Sequence, residues 1–585
     1  MTHWGPQAKL LVVGGLKKSP DIMRWLSQVL LLAFCPAACT TPGGQLTQAH
    51  RPSQPRPAAA SVLKFPMVRS FFVSPRGSDV NDGTAPSAPF KTVGRAQKAV
   101  RAARAAAPAA AVVVNLRGGT YSRSDGGVLL PLELADSGTA EAPVVWRSYP
   151  GEDVLLSAGA HVPPAAFTRR QGHLQQLQAN LTALGLTDLG RLGQWDGPSP
   201  TAHNDSHVAG PYPAPLQGRR GWNGVQAAEL FWDGQPATLA RWPNVKPDVG
   251  DGSGGSFVWA RTAGGYPPNC AGTSGEPQPP TAGARPVCTG FTSSAPFTNS
   301  TAQLEAWAAE AAQRDPALHG YWSFDWNEKY LPLVGVNVSA RAMVTTNALD
   351  PSRAFPYSDT YYSFLTKIDA EGEGGCAAHD WTHCRPGARW YALNLLSELD
   401  AQNEYYIERS TRSDVARQNY GLLYVHPPTP AARGAASADG AVLSMGQQVV
   451  TLGSGVAFVT FEGLRIGYSR DTAVKSLGPV ANITIRNCTV ANTGAGAIGL
   501  VGAGIEIAQT EVYGTAAFGI TIKGGKRDTL QRSYNLIQGC EVHHTARLLR
   551  TGQPGLHWVG VGNTFRENHV HHMPHYAVMG GANQA

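Results

Sequence analysis

Residues 511–575 gather side chains that can move protons and grip hydroxyl groups. Glu511 and Glu541 bring carboxylates, while His543, His544, His557, His571, His572 and His575 bring imidazoles, with Asp528 and Arg547 among them. Two carboxylates flanking a glycosidic bond can cleave it, with retention at a separation of about 5–5.5 Å and inversion at about 6.5–9.5 Å. Like charges so close tend to keep one proton between them, which is what a general acid needs. Imidazoles nearby can bind sugar hydroxyls, shuttle protons or ligate a metal. The catalytic candidates are therefore Asp528, His575, Glu511 and Glu541, and the substrate-binding candidates include His543, His571 and Arg547. Each has a blander alternative. Outward carboxylates commonly form a solvated face, histidines at turns bond to carbonyl groups, and an aspartate such as Asp528 caps a loop.

Whether these groups meet depends on the elements that carry them. Five segments share one pattern: "FEGLRI" at 461–466, "IRNCTV" at 485–490, "AQTEV" at 508–512, "IQGCEV" at 537–542 and "FRENHV" at 565–570. Their last residues are 24, 22, 30 and 28 apart. One short strand per twenty-odd residues, with Val, Ile and Thr in the strands and Gly, Asn and Asp between them, signals stacked coils. Helical hairpin repeats would need longer apolar stripes at 3.6 spacing. Strand alternation assigns the faces. Leu464, Cys488, Thr510, Cys540 and Asn568 form one inward column, and Ile466, Val490, Val512, Val542 and Val570 form the next. Arg465, Thr489, Glu511, Glu541 and His569 then point outward. Glu511 and Glu541 fall on neighbouring coils, about 4.8 Å apart at Cα. His543 stacks on His571, and His544 on His572. Cys488 and Cys540, two coils apart at about 9–10 Å, are too distant for a disulfide.

The expected fold class is all-β: a parallel β-helix, right-handed by the family resemblance given below, with an N-terminal capping helix and a β-rich inserted region. Thr92 is the expected N-cap of the helix, which buries Val93, Ala96, Ala99, Val100 and Ala103 and plugs the open end of the coils. "AVVVNLRGGTY" from Ala111 is the first wholly buried strand.

Charged residues are 15% of the 585, below the roughly 25% usual in globular chains, and the net charge is only +7 with no basic block, so a nucleic-acid partner is not expected. "MRWLSQVLLLAFCPAAC", Met23 to Cys39, has a basic start, a short apolar core and small residues at its exit, as a secretory leader does. This assigns 1–39 to a signal peptide, with Met23 a possible start, and 40–66 to a linker. Coils follow at 67–164, an aromatic insertion at 165–430 and further coils at 431–585. The chain is expected to be secreted, with no membrane span once the leader is gone, and monomeric. In an oxidising compartment Cys270 with Cys288, and Cys376 with Cys384, each bracketing a short loop, are expected disulfides. Their spacings are not those of a zinc ribbon; no metal and no cofactor is expected. In the insertion Trp222, Trp232, Trp242, Trp322 and Trp326 can stack on sugar rings or form a core, and Trp322 and Trp326 are the substrate-binding candidates.

"FFVSPRGSDVNDGT", "PFKTVGRAQKAV" and "VVVNLRGGTY" resemble the opening of secreted right-handed parallel β-helix proteins. "ELFWDGQPATLARWPN", "GYWSFDWNEKY", "LNLLSELDAQNEYYIER", "KGGKRDTL" and "GVGNTFRENHVHHMPHYAVMGGANQ" resemble a pectin-lyase-like group that includes glycoside hydrolase family 141. The resemblance spans roughly residues 70–584. It implies the fold, and action on a cell-wall polysaccharide or oligosaccharide. Two positions depart from the family. Lys526 stands where the family has an acid, and His572 where it has aspartate before the Pro-His pair. The family also continues beyond "GGANQA", so a C-terminal truncation with impaired catalysis is expected. Three readings stay open: a glycoside hydrolase, a non-catalytic glycan-binding wall or matrix protein, and a polysaccharide lyase. A lyase would use a Lys or Arg base and usually calcium.

Overall fold

A strand whose alternate residues are Val and Ile cannot bury them alone, and stacking identical short strands supplies the missing surface. The computed structural model describes residues 67–123, 127–190, 227–245, 258–266, 290–293, 299–324, 327–345, 389–409, 421–428 and 440–580. It shows an all-β, right-handed parallel β-helix with three faces. One sheet is formed in parallel by Gly119–Tyr121, Val154–Ser157, Arg465–Gly467, Thr489–Thr493, Glu511–Thr515, Glu541–His543 and His569–His571. The other two faces include Val480–Arg486, Glu506–Ala508 and Asn535–Gln538 on one side and Ile498–Ala503, Ile520–Gly524 and Leu556–Gly560 on the other.

The register is the one expected. Ile466, Val490, Val512, Val542 and Val570 pair in line, and the first four are buried to within 2%. Val570 is half-buried against the same core. Cys488 and Cys540 are free buried thiols, donating to Phe461 and Arg486 carbonyls and to Ile507 and Gln538 carbonyls respectively. Burial pushes Cys488 up to about 12 and Cys540 up to about 11, so both stay protonated at neutral pH.

Helix α1 (Val93–Ala106) starts where Thr92 Oγ1 accepts from Arg95 N, and it buries Val93, Ala96, Gln97, Ala99, Val100 and Ala103 at the N-terminal end of the core. The strand Ala111–Leu116 is buried at every residue.

Val144–Ser148 pairs directly with Ala457–Glu462, so two coils adjacent in space are separated in sequence by an insertion. The insertion opens and closes on antiparallel strands, Gly159–Val162 against Ala441–Ser444. Its core holds Phe291, Trp307 and Trp390, with Trp242 packed against them. Helix α2 (Thr301–Gln313) carries Trp307, whose Nε1 donates to Glu398 Oε1 at 2.6 Å. Trp232 packs against Phe167 in a second insertion core, so Trp232 and Trp242 serve packing here.

Candidate functional site

The site arises where one turn of the coil meets one column of the sheet. Five of the seven strands carry, within or just after them, a residue in the left-handed backbone region: Tyr468, Asn492, Gly514, His544 and His572 in successive coils. Histidine tolerates that region better than most side chains do. The chain bends there, and the residue just before the bend points off the sheet. In successive coils that residue is Gly467, Ala491, Tyr513, His543 and His571. The insertion lies over the lower coils, where Tyr468 packs on Phe231 and Asn492 Nδ2 donates to the Gly234 carbonyl. Beyond it the column becomes aromatic.

The stacks expected from the register are present. The His543 and His571 rings lie 5.0 Å apart at 10°, and His544 and His572 lie 4.8 Å apart at 4°. Tyr513 extends the first stack below His543 at 5.3 Å and 6°. Two residues back, the outward column runs Thr489, Glu511, Glu541, His569. Each glutamate therefore meets an imidazole of its neighbouring coil. His543 Nε2 stands 3.4 Å from Glu511 Oε1, and His571 Nε2 stands 3.2 Å from Glu541 Oε1. Thr489 Oγ1 donates to Glu511 Oε2 at 3.5 Å. The result is a carboxylate–imidazole pair repeated one coil apart. The lower pair is sheltered, with His543 buried and Glu511 15% exposed, and the upper pair opens to solvent, with Glu541 50% exposed.

Burial holds His571 below the usual imidazole range; Glu541 opposes this, and the neighbouring His543, His569 and His572 reinforce it. His571 is thus neutral at neutral pH and can accept a proton or hydrogen bond. His543 and His571 also touch the next histidine, His544 and His572, through their Nδ1 atoms.

The remaining candidates do not all join this cluster. Arg547 follows it in the loop and reaches away, with Nη1 and Nη2 both 3.1 Å from Glu229 Oε2 of the insertion and Nε donating to the Gly514 carbonyl. Glu229 is fully buried, and burial raises its carboxyl despite the arginine. His575 is exposed in the next coil's loop and accepts from Gly552 N at 3.0 Å. Asp528 is carried by another face of the coil than His543 and His571. It lies in the loop after Ile520–Gly524, where the coil leaves a different sheet, and it accepts from Thr529 N. The side chain of Trp322, all of Trp326, and Cys270, Cys288, Cys376 and Cys384 lie outside the described residues.

Three contributors escaped the sequence reading. Tyr513 shares the register of His543 and was accessible by extending the column one coil down. Glu229 is 318 residues from Arg547, and no local pattern announces it. The third is an aromatic group of the insertion, Trp259, Tyr321 and Tyr391, with ring centroids 5.2–5.4 Å from Trp259. Arg389 lies over the Tyr321 ring at 4.5 Å, and the neighbouring Tyr330 hydroxyl donates to the Leu548 carbonyl in the loop after the histidines.

One family match agrees with the fold. Residues 441–584 match the family described as right handed beta helix region. Pectate lyase PEL9 of Emericella nidulans is 38% identical over 104 residues, which are 18% of this chain and 22% of that protein. The match thus spans about a fifth of the curated relative's length. Two solved structures are similar: a glycoside hydrolase (14% identity, 85% of this chain and 87% of that one, TM-score 0.46) and a complex of XylC with xylose (10% identity, 88% and 67%, TM-score 0.34).

Proposed function

We propose that this is a secreted carbohydrate-active protein that lays a cell-wall polysaccharide across the coils beside the insertion and cleaves it as a glycoside hydrolase, with Glu511 and Glu541 as the working pair. The observation that carries the reading is the repeated pair itself: two glutamates on adjacent strands, each held by its own imidazole. Adjacent strands stand about 4.8 Å apart, which brings both side chains within reach of one glycosidic bond. Glu511, fixed by His543 and Thr489, is the carboxylate that faces the anomeric carbon. Glu541, more exposed, is the group that reaches the leaving oxygen, with His571 orienting it. The half-buried Tyr513 offers an aromatic edge to a pyranose. The resemblance to glycoside hydrolase family 141 supports the same class, and the leader-like segment Met23–Cys39 supports the secreted setting.

The local match to a pectate lyase favours polysaccharide lyase as the second reading. The test is digestion of plant and algal wall polysaccharides by the chain and by Glu511→Gln and Glu541→Gln. New reducing ends without unsaturation, lost about a hundredfold or more in either variant, are the expected result. Ultraviolet-absorbing unsaturated ends would establish the lyase instead. Retention of the glycan with no turnover would leave a binding protein.

A further inference from the structure

The upper end of the outward column changes chemistry. Where the coil below presents Glu541, the next coil presents His569, and the stacked column beside it presents His571. Glu541 Oε1 is 3.2 Å from His571 Nε2 and 3.8 Å from His569 Nδ1, and one ligating atom from each of the three residues lies within 4.8 Å of the others. The His569 and His571 rings sit side by side, centroids 4.2 Å apart. Among the described residues this is the one group of three or more His, Cys, Asp or Glu residues gathered so closely.

We infer that Glu541, His569 and His571 form a binding site for a divalent transition metal such as zinc. Four ligands at 2.0–2.1 Å from a tetrahedral zinc stand about 3.3–3.4 Å from each other. The 3.2 and 3.8 Å separations already approach that edge, and closing the rest needs only side-chain rotation at an exposed position. Two imidazoles and a carboxylate select zinc, copper, nickel or cobalt over calcium or magnesium, which prefer oxygen alone. With the metal on His571 Nε2, its Nδ1 carries the proton and donates to His572 Nδ1, which takes the place of the carboxylate or carbonyl that more often orients a metal-bound histidine. The same register one coil down offers Glu511, Glu541 and His543, two carboxylates and one imidazole, so the site is specific to the upper coil. Three protein ligands leave a fourth position open to water or to a sugar hydroxyl. Two of its three ligands, Glu541 and His571, belong to the proposed acid–base pair, so a bound metal occupies them and Glu541 serves as the acid only in the metal-free protein; metal binding itself does not depend on glycan cleavage.

The test is direct metal binding to the full chain after chelator treatment, with no glycan present. Isothermal titration with zinc, and visible absorption on adding cobalt, should show one equivalent bound. His569→Gln and His571→Gln should each weaken zinc at least tenfold, and Glu541→Gln should weaken it less. His161→Gln, an exposed histidine of the insertion, should leave it unchanged. Wild-type zinc affinity in the His569→Gln/His571→Gln double variant would overturn the proposal, as would calcium displacing cobalt at equal concentration. If the variants fail to fold, copper electron paramagnetic resonance on the unsubstituted chain still decides. Two equatorial nitrogens at one equivalent support the site, and none overturns it.

Discussion

At the scale of single residues, the histidines of one short stretch do unlike things. His571 is half-buried beside a carboxylate, whereas His557, fourteen positions earlier, is fully buried, and neither of its ring nitrogens has a hydrogen-bond partner within the protein. Burial, with Lys523 adding to it, pulls His557 down to about 4 from 6.5. The folded chain therefore binds this proton less tightly than the unfolded chain. The neutral ring's contribution to stability is fully present above pH 6.5 and is lost as the pH falls from 6.5 to 4, a loss of the order of 2–3 kcal/mol. His557→Leu removes the acceptor. Urea midpoints across this window should fall less steeply in the variant than in the parent, while the two remain within about 1.5 kcal/mol of each other at neutral pH. Identical slopes would mean that His557 protonates without cost in the folded chain.

At the scale of elements, the turn between the first and second strands of a coil sets the register. It places one residue per coil in the left-handed region: Gly463, Asn487, Gln509, Gly539 and Glu567, with φ of 67°, 49°, 48°, 60° and 57°. Glycine and asparagine there are the punctuation that makes the repeat legible, and the valine or isoleucine three residues later fixes which side chains point inward. Glu511, Glu541, His543 and His571 were legible for that reason, because the ladder carries each of them to a known height. Asp528 was not, because it sits in a loop of variable length after a different strand, where no ladder counts the residues. Gln509 and Glu567 hide the turn, since neither residue type advertises this conformation. Gly539 isolates the backbone term: a Cβ there would meet nothing closer than Gln509 Cγ at 3.7 Å. Gly539→Val should lower stability by about 1–2 kcal/mol through backbone strain alone, and Gly539→Asn by less than half as much. Equal urea midpoints for the two variants would show that the turn is not what holds the register.

At the scale of the whole molecule, the insertion and the coils are tied at the place where the site opens. The loop after His543 leaves the helix, and its Leu548 and Leu549 pack into the insertion's core, while Arg470 reaches Asp188 at 2.6 Å lower down. Arg547 makes a second ion pair of this seam, with Nη1 and Nη2 on Glu229 Oε2 and its charge 5.8 Å from the Phe231 ring centre. This distant partner could not be read from the sequence, where Arg547 looks like one more group for a glycan. The two roles make opposite forecasts. If Arg547 is a seam, Arg547→Met leaves Glu229 buried without its cation, at a cost of roughly 3–5 kcal/mol at neutral pH. Burial already raises Glu229, so in the variant it takes up a proton, and the penalty shrinks as the pH falls and grows as it rises. Adding Glu229→Gln should recover part of the loss, because the double variant leaves no buried charge. If Arg547 instead serves the glycan, Arg547→Met melts with the parent at every pH and loses only affinity for oligosaccharide. Thermal melting of the three proteins at acid and neutral pH separates the two, and the two guanidinium contacts to one buried carboxylate oxygen favour the first.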